Sequence, residues 1–140
     1  MKTLTPSLAR FAQLLIRQEM YIHNLTPEDR SVVLVAAALS IPEGEALAEK
    51  DVTQLLLSWI ATVGQNLRDD AVELRRYLVD FGFLSRDRAG YAYMRTSVLN
   101  DKYADIADDL RGVDLASFAD QVRSEEIERR AARKKAALAR

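Results

Sequence analysis

Apolar residues recur at three-and-four spacing along most of the chain, and the breaks between them divide it into helices. Leu8, Phe11, Ala12, Leu15, Ile16 and Glu19 follow this spacing in a first helix that opens at Thr5-Pro6 or Pro6-Ser7. Asn24 and Leu25 interrupt it. Thr26-Pro27-Glu28-Asp29 then supplies a capping hydroxyl, proline at the first helical position and acids in the first turn, where the helix carries partial positive charge. The second helix runs from Pro27 to about Leu39, and its body SVVLVAAAL is apolar nearly all round. A buried strand competes for those residues, but the cap favours a central helix.

Ile41-Pro42-Glu43-Gly44 is a turn. A third helix spans about Ala48 to Ala61, with Val52, Leu55, Leu56, Trp59 and Ile60 on one side, and Gly64 ends it. A fourth follows from about Asp69 to Phe81, with Val72, Leu74, Leu78 and Phe81 apolar, and Gly82 is placed to stop it in the left-handed conformation. The pattern then changes to short runs, Phe83–Asp87 and Tyr91–Arg95, around Arg88-Ala89-Gly90, as in a tight hairpin. Asp101 to Leu110 reads as a short acidic helix stopped by Gly112, and Asp114 caps a longer one with Leu115, Phe118, Ala119 and Val122 on one face. Past Ser124 the apolar spacing decays, so residues 125–140 are expected as a basic tail, helical or frayed, behind a single domain over 1–124.

Helices followed by a two-stranded hairpin are ordered as in a winged helix, so the expected fold is mainly helical, winged-helix-like, with extra N- and C-terminal helices. In such a fold the helix from Asp69 to Phe81 reads the major groove and the hairpin touches phosphate. Arg75, Arg76, Arg86, Arg88 and Arg95 are the candidate nucleic-acid contacts. Over residues 75–95 these five arginines face two aspartates, a local +3. The competing reading is intramolecular, with the arginines pairing with Asp80 or Asp87 to hold the hairpin; Arg88, at the tip, has the least to do structurally. Tyr91 and Tyr93 alternate with Ala92 and so face one side of a strand, offering either a stacking surface for bases or a packing face that joins Phe81 and Phe83 in an aromatic cluster, and we favour packing.

The run EKDVTQLLLSWIATVGQNLRDDAVELRRYLVDFGFLSRDRAGYAYMR, Glu49 to Arg95, resembles a small bacterial domain of unknown function that occurs alone or joined to regulators of the arsenic-repressor winged-helix type. The resemblance rests on Leu74, Arg75, Arg76, Leu78, Val79, Asp80, Gly82, Leu84, Arg86, Asp87, Gly90, Tyr93 and Arg95. The sequence departs from the pattern at Met94, where a tryptophan is expected, and at Ala89, where an acid is expected. The resemblance implies a winged-helix-like domain with a regulatory role and no established activity.

Composition narrows the chemistry. With no cysteine there is no disulfide, thiolate metal site or cysteine nucleophile. His23 is the sole histidine, too few for a usual zinc set or a histidine-based triad, and no phosphate-binding glycine loop or nucleophile elbow is present. Asp101, Asp105, Asp108 and Asp109 share a helical face but lack a calcium-loop pattern, so we read them as solvated. No enzyme, metal or cofactor is expected. The N-terminal segment is broken by Arg10, Gln13 and Arg17, unlike a secretory signal, and the longest apolar run, Val32 to Leu39, is eight residues, too short for a bilayer. A cytoplasmic protein that does not engage membranes is the expectation.

Charge is unevenly placed. Arg129, Arg130, Arg133, Lys134, Lys135 and Arg140 follow one another without an acid, and because the whole chain stands at −1, those six leave residues 1–128 at −7. An acidic body opposes nonspecific attraction to phosphate, so contact with DNA must come from local patches. The tail residues Arg129, Arg130, Arg133, Lys134 and Lys135 form one such patch; alternatively they meet Glu125, Glu126 and Glu128 of a second copy. The leading expectation is a bacterial transcription-regulatory or DNA-associated protein binding double-stranded DNA. The alternative is a non-catalytic interaction module on the same scaffold, with a protein partner or a homodimer through the terminal helices.

Overall fold

Two helices begin alike. Thr5 and Thr26 hold extended backbone, each side-chain hydroxyl accepts the N–H three residues ahead, and each is followed by proline. In the computed structural model, which describes residues 3–139, these caps open α1 (Pro6–Leu15) and α2 (Pro27–Ala38). α1 buries Leu8, Phe11, Leu14 and Leu15 and stops there, so Glu19 lies beyond its stripe. α2 is buried continuously from Val32 to Ala38 and is a helix, not a strand.

α3 (Glu49–Thr62) and α4 (Ala71–Asp80) pack against each other. α3 turns Val52, Leu56 and Trp59 inward, with Leu55 and Ile60 half-buried. Gly64 follows because of Trp59: a Cβ at this position would stand 2.6 Å from ring atom Cζ3. On α4 the inward stripe is Ala71, Leu74, Arg75 and Leu78. Val72, expected inside, is exposed, and an arginine takes the place of an apolar residue.

The expected hairpin is present as β2 (Leu84–Arg86) and β3 (Ala92–Arg95), but β3 is the centre of a three-stranded antiparallel sheet, with β1 (Leu47–Ala48) on its other side. Leu47 and Arg86 both stand opposite Tyr93. The shared face proposed for Tyr91 and Tyr93 does not form. Tyr91 belongs to the turn and is 78% exposed, whereas Tyr93 is buried. The single aromatic cluster also gives way to separate pairs, Tyr77 with Phe81 at 6.4 Å and Phe83 with Tyr103 at 4.6 Å between ring centres.

α5 (Ala104–Leu110) is shorter than its pattern predicted. Asp101 instead closes the 3₁₀ turn Ser97–Asn100, and Asp109 accepts the Ser7 N–H at 3.2 Å. Asp114 caps α6 (Leu115–Leu138) by accepting the Ser117 N–H. α6 passes Ser124 without a break and stays helical to Leu138, while Arg140 lies outside the described residues. Among the described residues no helix is long and apolar enough to cross a membrane.

α6 is held to the body by arginine. The Arg123 Nε donates to Leu15 O at 3.3 Å, and its Nη2 donates to Val63 O at 2.7 Å and to Asn66 Oδ1 at 3.0 Å. Asn66 in turn donates to Leu14 O and Arg17 O. Arg130 reaches Ile16 O at 3.1 Å. These carbonyls end α1 and α3, where backbone acceptors lack helical partners and the helix carries partial negative charge. Burial draws the Arg123 pKa down, and Asp120 opposes that shift. Arg123→Met leaves the acceptors without their donor, and urea unfolding should show a loss of about 3 kcal/mol.

A second polar tie joins α1 to the start of α2. The buried Asp29 carboxylate accepts from Arg10 at 2.9 Å and Arg17 at 3.2 Å. Burial alone would raise its pKa, but the Arg10 hydrogen bond, the charges of Arg17 and Arg10 and the Thr26 hydroxyl together hold it below the ordinary value. Its folded pKa therefore lies below its unfolded one, so the stabilisation is complete above about pH 4 and is lost as pH falls through the folded value. Asp29→Asn should lower stability at neutral pH and flatten the acid side of a stability-against-pH curve.

Candidate nucleic-acid interface

The candidate surface is made by α4 and the hairpin that follows it. α4 opens with a reciprocal cap: Asp70 Oδ1 accepts the Glu73 N–H at 2.8 Å, and Glu73 Oε1 accepts the Asp70 N–H at 3.3 Å. It closes at Gly82, whose φ of +82° lets Phe83 N–H reach back to Leu78 O at 2.8 Å and turns the chain into β2. Thr96 fixes the far end of the hairpin, with its hydroxyl donating to Gly82 O at 2.6 Å and its N–H donating to Phe83 O. At the tip, Asp87 Oδ1 accepts the Tyr91 N–H at 2.9 Å. Helix and hairpin are thus locked together by backbone-directed bonds.

The five arginines of this segment divide sharply. Arg75 is only 8% exposed. Its Nη1 donates to the Thr53 hydroxyl at 2.7 Å, its Nη2 pairs with Glu49 at 3.3 Å, and its guanidinium lies over the Tyr93 ring at 5.4 Å. It joins α3, α4 and β3. The side chain of Arg95 is likewise enclosed, with Nη1 donating to Ile41 O at 2.8 Å and Nη2 pairing with Glu43 at 3.3 Å. Burial pulls its pKa down against the Glu43 charge. Both serve as intramolecular fasteners. Their partners, Glu49, Thr53, Glu43 and Ile41, are not the Asp80 and Asp87 that proximity in sequence pointed to.

Arg76, Arg86 and Arg88 are exposed. None of the three side chains has an ion pair or a hydrogen bond among the described residues. Arg76 and Arg86 line one cleft of about 300 Å³ with Glu49, Arg75, Val79, Asp80 and Tyr93. Arg88 stands in the turn beyond it. The cleft thus mixes charges of both signs and presents two unpaired guanidinium groups, the donors that suit a phosphate or carboxylate.

The basic tail is less free than its composition implied. Arg129, Arg130 and Arg133 all pair with Glu126, at 3.0, 3.1 and 3.1 Å. The Arg129 hydrogen bond is the main reason that the Glu126 carboxyl is held below its ordinary pKa, with burial opposing. Lys134 and Lys135 are exposed. The spacing of Leu115, Ala119, Val122 and Glu126 carries the signal that α6 docks past Ser124. Ending that stripe at its last apolar residue hid the part played by Glu126. Among the described residues, no group of three or more His, Cys, Asp or Glu side chains is placed to hold a metal.

Residues 26–95 match the model of a family described as an uncharacterized protein conserved in bacteria (DUF2087). The match begins at the Thr26 cap of α2 and ends with the last residue of β3. It therefore extends well before Glu49 and covers half the chain, leaving α1, α5 and α6 outside. No curated protein and no solved structure matches the chain.

The division of the arginines is open to a stability measurement. Arg75→Met should cost about 2 kcal/mol in chemical denaturation, through loss of the Thr53 and Glu49 bonds. Arg76→Met should stay within about 0.5 kcal/mol of the parent, as expected at an exposed, unpaired position.

Proposed function

The chain belongs to the bacterial family of uncharacterized proteins that matches it from Thr26 to Arg95, and from that premise we propose a non-catalytic, DNA-associated regulatory role in which α3, α4 and the β2–β3 hairpin act as a winged helix. The observation that carries this reading is the set Arg76, Arg86 and Arg88: exposed, unpaired, and distributed over a helix and the hairpin fixed to its end. Arginines without intramolecular partners are available to phosphate oxygens, and a helix with an adjoining hairpin is the geometry by which winged helices span a groove and its backbone. The sequence resemblance to domains joined to arsenic-repressor-type regulators supports the same role, carried out beside the chromosome in the cytoplasm. Lys134 and Lys135 on α6 add further exposed positive charge.

One observation favours a second reading. Tyr91 and Met94 are 78% and 40% exposed on the hairpin, and Asp80 and Glu49 temper the positive charge of the neighbouring cleft. A hairpin with exposed apolar side chains and mixed charge beside it also suits a protein partner, which would make the same scaffold an adaptor.

Titration of a fluorescent duplex DNA at several salt concentrations separates the two. DNA association through this surface should weaken as salt rises, and Arg76→Ala, Arg86→Ala or Arg88→Ala should each reduce the slope of log affinity against log salt by about one. Unchanged binding in all three, with loss only in a Lys134→Ala/Lys135→Ala variant, would assign the affinity to α6. Absence of binding at low salt would leave the adaptor.

A further inference from the structure

α6 carries two stripes, and its first function, docking on the body, uses one of them. The inner stripe, Leu115, Ala119, Val122 and Glu126, ends where Arg129, Arg130 and Arg133 fold back on Glu126. The outer stripe is Asp120, Ser124, Ile127, Ala131, Lys134 and Leu138, at successive spacings of four, three, four, three and four. That alternation has the a/d spacing of a coiled coil, with apolar residues at Ile127, Ala131 and Leu138. All six residues are exposed, and Ile127 and Leu138 are 67% and 79% so. None of the six is buried, and Ile127 also borders a cleft shared with Leu15, Gln65 and Arg68.

We propose that this outer stripe is the interface of an antiparallel homodimer. The occupant is identified by charge. Asp120, Glu125 and Glu128 lie in the first part of α6, while every ionisable residue from Arg129 to Lys135 is basic. A parallel pair would set base against base at one end. An antiparallel pair sets the acidic part of each helix against the basic part of its partner, and the two-fold symmetry repeats every contact. Ile127, Ala131 and Leu138 supply the apolar centre of the seam. The exposed part of α6 after Glu126 is about 18 Å long at the helical rise, a length that is marginal in water without a packing partner. This inference is independent of DNA binding, although a two-fold pair would also present two copies of α4 and its hairpin.

Sedimentation equilibrium of the full chain from low micromolar to several hundred micromolar should show a reversible monomer–dimer system that weakens as sodium chloride is raised. Ile127→Glu should raise the dimer dissociation constant at least about tenfold, the effect of losing a buried aliphatic side chain. Because Ile127 is exposed in the single chain, the circular dichroism and urea midpoint of the monomer should not change. Glu125→Lys/Glu128→Lys and Lys134→Glu/Lys135→Glu should each self-associate poorly, and an equimolar mixture should recover dimer. A chain that stays monomeric throughout, a dimer indifferent to Ile127→Glu, or a mixture with no recovery would overturn the proposal. Since the parent has no cysteine, Leu138→Cys gives a separate check: rapid self-disulfide formation would signal a parallel pair and overturn it as well.

Discussion

The fold depends on satisfying the unpaired carbonyl ends of α1 and α3 at one point. Helix termini facing the interior leave acceptors that water cannot reach, and each costs more unpaired than it contributes when bonded. Arg123 resolves this by bringing one guanidinium to Leu15 O, Val63 O and Asn66 Oδ1. Asn66 extends the same solution to Leu14 O and Arg17 O. A cation suits the negative ends of two helices better than a neutral donor would, which offsets part of the cost of burying it. The docking of α6, the end of α1 and the turn from α3 to α4 therefore depend on each other.

A comparable device operates inside the family-matched segment. Arg75 joins α3, α4 and β3 through a hydroxyl, a carboxylate and an aromatic face, and Arg95 joins β3 to the turn after α2. With these two tied down, the helix and the hairpin form a rigid unit on which Arg76, Arg86 and Arg88 remain unpaired. The contrast between Arg75 and Arg76 is a matter of helical phase. Successive residues are turned by about 100°, which puts one guanidinium under β3 and leaves its neighbour in solvent.

Elements governed by local chemistry were legible in the sequence. Thr5 and Thr26 caps, Gly82 with its left-handed backbone and the continuous apolar run of α2 identify their helices from nearby residues alone. What was hidden is non-local. β1 is two residues long and exists because β3 offers it a pairing edge. The parallel bridge between Met20 and Leu67 joins segments that have no strand pattern of their own. The burial of Asp29, Asn66, Asp69 and Arg75 follows from partners elsewhere in the chain, as where the Asp69 carboxylate accepts the Ile22 N–H at 2.8 Å. The same limit applied to the candidate site: Arg75 and Arg76 are adjacent and identical in type, so only their tertiary partners distinguish them.

The bonds from Arg123 to Leu15 and from Arg130 to Ile16 close spans of 108 and 114 residues. Contacts so remote in sequence form late, because most of the chain has to be ordered before they can be made. α1 packs against α2, which follows it directly, and against α5 and α6, so its apolar face is covered in stages. Until α5 and α6 are in place, Leu8, Phe11, Leu14 and Leu15 are only partly covered, and an incompletely folded chain keeps a sticky patch there. The docking of α6 is thus also what closes off the end of that patch, where Arg123 and Arg130 reach Leu15 O and Ile16 O.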